Sequence, residues 1–124
     1  MDPITEELKA RTKRFAVAVL ELAETMSISA GSEAVKRQLV RAALGVAGNY
    51  RSACRARSHA EFTSRLGIAL DESDESELWL DVVSERRLSS SLSLPTLIDE
   101  SRQLRAIFSK GYQTARKREQ QAKR

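Results

Sequence analysis

The residues able to do chemistry in this 124-residue chain are few, and their spacing argues against catalysis. The single histidine, His59, sits at the start of a capping-box sequence, Ser58-His59-Ala60-Glu61, with no ligands near it at the spacing zinc requires. No Ser-His-Asp arrangement can be built without it. The one cysteine, Cys54, lies among small apolar residues, where a thiol usually packs. An acidic run, Asp71-Glu72-Ser73-Asp74-Glu75-Ser76-Glu77, has the Glu-x-x spacing of carboxylate metal bundles but no histidine follows. No phosphate-cradling glycine loop is present. The expectation is a protein that is not an enzyme and holds no metal or cofactor.

Basic residues are the larger chemical signal. The chain carries 21 Lys and Arg against 17 Asp and Glu, and they are segregated. Residues 28–57 hold six basic groups and one acidic; residues 58–87 hold eight acidic and three basic; residues 88–124 hold eight basic and three acidic. Arg37, Arg41, Arg51 and Arg55 fall on one strip of the second segment, and Asp71, Asp74, Asp81 and Glu85 form an acidic counterpart on the third. Such strips suit charge matching between helices or subunits. Phosphate binding is the second reading of the arginine strip, weighed below charge matching. Lys36, Arg37, Arg51, Arg55 and Arg57, with Arg116, Lys117, Arg118, Lys123 and Arg124 near the C-terminus, are the candidate nucleic-acid contacts, acting through counterion release rather than base reading.

Four helices must position these groups. Asp2 caps the first, with Pro3 at its first position; Leu8, Phe15, Val19, Leu22 and Met26 follow at helical spacing. The run Ser27 to Ser32 breaks the pattern, with Gly31 as punctuation. The second helix has a seam of Val35, Leu39, Ala42, Val46, Asn49 and Ala53; its interior Gly45 and Gly48 imply close approach by a neighbour. The third repeats the spacing through Phe62, Leu66, Ala69, Ser73, Ser76, Leu80 and Val83. A serine-rich loop follows, and Pro95 opens a fourth helix with Leu97, Leu104 and Phe108 inward. Short loops favour antiparallel neighbours. The fold expected is an all-α, antiparallel up-down four-helix bundle over residues 1–112, with a basic tail over 113–124 that lacks an apolar face. Arg41, Asn49, Glu72, Glu75 and Trp79 form a candidate structural polar cluster, since half-buried carboxylates want cationic or hydrogen-bonding partners. One cysteine, an acidic N-terminus and no membrane-length apolar stretch lead to a cytoplasmic expectation without membrane contact.

Several of these segments carry a family resemblance. Gln38-Leu39-Val40-Arg41-Ala42-Ala43 and Val46-Ala47-Gly48-Asn49-Tyr50-Arg51-Ser52-Ala53 resemble the second helix of bacterial four-helix bundle proteins, including those encoded in intervening sequences of large-subunit ribosomal RNA genes. Glu61-Phe62, Arg65-Leu66, Ile68-Ala69-Leu70 and Glu72-Ser73-Asp74-Glu75-Ser76-Glu77-Leu78-Trp79-Leu80 resemble its third. The likeness runs in order over roughly residues 8–115, and the ordered combination is more specific than any one piece. It implies an up-down bundle assembling into a homopentameric ring or barrel, without catalysis. The family also includes the accessory variability determinant of diversity-generating retroelements, a basic pentamer that binds a reverse transcriptase and nucleic acid. Arg51 departs from the acidic residue that many members have after the Asn-aromatic pair, making the second helix more basic. Two functions stand: a homo-oligomeric, nucleic-acid-associated scaffold, RNA before DNA, with a reverse transcriptase as a partner by resemblance; or an adaptor whose charged strips serve subunit assembly.

Overall fold

The computed structural model describes residues 3–123, with side chains from Thr5 onward. The cap expected at Asp2 and the cation expected at Arg124 lie outside the described residues. Four helices follow in order: α1 Pro3–Glu24, α2 Ala30–Cys54, α3 His59–Glu85 and α4 Leu94–Ala122. Each packs on its sequence neighbours, and α1 closes on α4, as an up-down bundle. The α2–α3 and α3–α4 faces are the most extensive, and α1–α4 is the thinnest.

Local chemistry sets the ends. Ser29 caps α2 from an extended backbone, its hydroxyl accepting from the Ser32 amide at 3.2 Å. Helix α2 thus begins before Gly31, which lies in its first turn rather than in the break. Ser58 caps α3 through the Glu61 amide at 3.0 Å, while the Glu61 carboxylate reaches past the cap to the Arg57 amide at 3.0 Å. The C-terminus of α3 turns through Arg87 at φ 53, with Arg87 N–H donating to Ser84 O and Leu88 N–H to Val83 O. This double bond with a left-handed residue is a Schellman end, made here without glycine. The Ser27 amide donates to Leu88 O at 2.9 Å and Thr25 Oγ1 meets Ser89 Oγ at 2.8 Å, joining the α1–α2 and α3–α4 loops.

The core runs through Phe15, Val19, Leu22, Leu39, Val46, Leu80, Val83, Leu104 and Phe108. On α3 the expected seam holds from Leu66 to Val83, with buried Thr63 taking the place given to Phe62. Its serines are buried because their hydroxyls donate back one turn, Ser73 to Ala69 O and Ser76 to Glu72 O, both at 2.8 Å. On α2 the seam shifts at one position: Tyr50, not Asn49, is buried, with its ring 5.5 Å from Phe108. An aromatic ring gains from that burial, whereas an amide would lose its water partners. The two α2 glycines divide. A Cβ on Gly45 would meet Glu72 Cδ at 2.9 Å, so α3 does approach closely there; Gly48 faces open space.

Candidate nucleic-acid interface

The end of α2 and the start of α3 meet in a tight turn, and that turn gathers arginines. Ser52, Arg55, Arg57, Glu61 and Arg65 line an open depression of about 440 Å³. Arg55 and Arg57 are exposed and form no ion pair among the described residues. Arg65 is not among the candidate contacts read from the sequence, where it enters only in the family likeness. It lies one turn beyond Glu61 as the sole Lys or Arg within α3, and that isolation was the available signal. Its Nη1 donates to Asn49 Oδ1 at 3.4 Å, while Asn49 Nδ2 donates to Gly45 O at 2.9 Å. Asn49 therefore faces α3 at its Arg65 end rather than joining the Arg41 cluster.

The segment expected as a tail continues α4 to Ala122, and Ala115 is buried. Its carbonyl lies 2.8 Å from His59 Nε2; a carbonyl only accepts, so that nitrogen carries the proton. The histidine thus pins α3 to α4. A second depression of about 440 Å³ follows on this flank, lined by Ser64, Tyr112, Arg116, Glu119 and Lys123 among others. Arg116 stands 5.8 Å from the Tyr112 ring centroid, and Lys123 pairs with Glu119 at 3.8 Å. Lys117 and Arg118 are exposed. Arg55, Arg57 and Arg65 thus flank the first turns of α3 on one side, with Arg116 and Lys123 on the other.

The remaining α2 cations are not part of this grouping. Arg37 is about 27 Å along the helix from Arg55. Lys36 pairs with Glu33 at 2.9 Å. Arg37 and Arg51 are exposed on the outer face with Leu44, itself 47% exposed. Arg41 turns instead to α3, with Nη2 on both Glu75 oxygens at 3.1 and 3.2 Å and on Gln38 at 2.9 Å, and Nη1 3.6 Å from Glu72. The Glu72 side chain is only 17% exposed, and its Oε2 has no hydrogen-bond partner. Burial pushes its carboxyl above the usual 4.5; Arg41 pulls it down, and Glu75 and Asp71 push it further up. Trp79, on the same stripe of α3 as Glu72 and Glu75, packs at the core edge with Nε1 unpaired. The acidic face of α3 is partly neutralised by α4, through Arg105 with Glu77 at 2.7 Å and Arg102 with Asp81 at 3.6 Å.

Among the described residues no group of three or more His, Cys, Asp or Glu could hold a metal ion. No described helix is long and apolar enough to cross a membrane. No curated protein matches the chain. A crystal structure of a protein with unknown function from the S23 ribosomal protein family of Bacteroides thetaiotaomicron shares the fold, with TM-score 0.76 and 22% identity, over 88% of this chain and 97% of that one. The 23S rRNA-intervening sequence protein family matches residues 6–110, spanning all four helices. The chain belongs to the 23S rRNA-intervening sequence protein family.

Proposed function

We propose that the protein is a non-catalytic, homo-oligomeric scaffold that associates with nucleic acid, RNA before DNA, through its basic surfaces. The observation that carries this reading is the gathering of Arg55, Arg57, Arg65, Arg116 and Lys123 around the first turns of α3, in two open depressions. Exposed cations so placed bind phosphates without reading sequence. Mobility-shift titration with a structured RNA at low salt tests it. Binding is expected to weaken steeply with salt, and changing Arg116, Lys117 and Arg118 together to Gln should lower the salt slope by about 1 for each phosphate that the variant no longer neutralises. Absence of any shift at low salt overturns the reading.

A specific observation favours the adaptor as the second reading. The outer face of α2 presents Arg37, Leu44 and Arg51; that of α3 presents Asp71, Leu78 and Glu85, with Leu78 52% exposed. Opposite charges around an exposed leucine on each side suit head-to-tail docking of copies, the contact a closed ring of five would repeat. Reversing Arg37 and Arg51 to Glu on one variant, and Asp71 and Glu85 to Lys on another, separates the readings by light scattering. Under the adaptor reading each variant is monomeric alone and the two form mixed, alternating assemblies with an even number of copies when combined, since five copies cannot alternate. Intact oligomers with lost RNA binding in the first variant favour the scaffold.

A further inference from the structure

We infer that the depression between the end of α2 and the start of α3 is a phosphate-binding site, with Arg55, Arg57 and Arg65 as its walls and Asn49 as the residue that positions Arg65. The inference deepens the nucleic-acid reading and rests on it for the identity of the phosphate's carrier.

Three guanidinium groups, the Ser52 hydroxyl and one carboxylate line the depression. Glu61 accepts the Arg57 amide at 3.0 Å, which fixes the turn carrying Arg55 and Arg57. Against its single charge the three arginines leave two positive charges in excess. Arg55 and Arg57 form no ion pair, and the Ser52 hydroxyl makes no hydrogen bond, among the described residues. The long 3.4 Å bond to Asn49 occupies one of the five Arg65 donors. A tetrahedral dianion or a phosphodiester with several acceptor oxygens matches this set, because planar guanidinium forks bind such oxygens in pairs.

Asn49 gives the arrangement its second support. Asn49 is half-buried against α3, where an amide needs partners. Its amide nitrogen is held by Gly45 O at 2.9 Å, so the amide oxygen is turned toward Arg65. Arg65 is half-buried between the helices and is thereby steadied before any ligand arrives. The depression beside Tyr112 is a weaker candidate, since Lys123 there is already paired with Glu119.

The test uses the full chain and two probes, a structured RNA in mobility-shift titrations and inorganic phosphate in NMR titrations of arginine side-chain signals. Arg57→Gln/Arg65→Gln should weaken RNA binding by about tenfold or more, as expected for losing two charged hydrogen-bonding groups. It should also abolish the phosphate response at Arg55, while Lys13→Gln stays within about twofold of the parent on the same scale. Asn49→Ala should weaken RNA binding in the parent but have no effect once Arg65 is Gln, a coupling that a purely structural role would not produce. Circular dichroism checks that each variant is folded. RNA binding left unchanged by the double variant overturns the site and leaves the nucleic-acid reading standing. No RNA binding, with a phosphate response that the double variant loses, supports the site, makes its ligand a small phosphorylated molecule and overturns the nucleic-acid reading. Silence to both probes overturns the site.

Discussion

Glu72 is the residue with the largest conflict between its charge and its surroundings. Its carboxylate packs against the Gly45 backbone, has one orphaned oxygen, and meets Arg41 only at 3.6 Å. A carboxyl raised in the folded state contributes stability that is fully present below its ordinary value of 4.5 and lost as pH rises through the raised value. Glu72→Gln mimics the protonated form, so it should be more stable than the parent in urea at pH 7. That advantage should close as pH is lowered toward 4. The Arg41–Glu72–Glu75 group was legible from helical spacing, because long opposite charges on facing helices find each other. Asn49 was not separable from it by spacing alone: whether a side chain at a seam edge turns up or down the neighbouring helix depends on packing, and Asn49 turned to Arg65.

At the scale of elements, the glycines of α2 show two different consequences of one residue type. Gly45 admits Glu72, while a Cβ on Gly48 meets nothing within 4 Å. Gly48→Ala should therefore stabilise the dilute chain by up to about 1 kcal/mol in urea denaturation, the helix-propensity difference between the two residues. Gly45→Ala should gain less, since the Glu72 side chain must move. The end of α4 was the least legible element. Beyond Tyr112 its only buried residue is Ala115, a single small contact in a stretch of exposed charge, and so weak an apolar signal looks like a solvated tail. Besides that burial, what ties it to α3 among the described residues is the bond from His59 to the Ala115 carbonyl, which no periodicity reveals. His59→Ala should speed amide exchange over residues 116–122, with global stability changed by less than about 1 kcal/mol.

For the whole molecule, the up-down arrangement was readable because four amphipathic segments joined by short loops leave few other ways to bury their stripes. The unequal strength of its four faces was not. Helix α1 contributes a full stripe to the core, yet its contact with α4 is thin and is clasped by the bidentate pair of Arg11 with Glu100, at 2.7 and 2.8 Å, and by Gln103 at 2.8 Å. Arg11→Ala should raise amide exchange in the N-terminal half of α1 more than in any other helix.

The joined loops make that thin face a lever. Helix α1 is tethered at its C-terminal end, where Thr25 and Ser27 bond to Ser89 and Leu88. Its N-terminal end lies toward the arginine-lined turn, about 34 Å from Met26 at helical rise. A tilt of about 5° about that tether carries the start of α1 through about 3 Å by the same geometry. Arg11 and Glu100 are the clasp on this arm, so the leverage of that one pair is greatest at the end of the bundle where Arg55 and Arg57 stand.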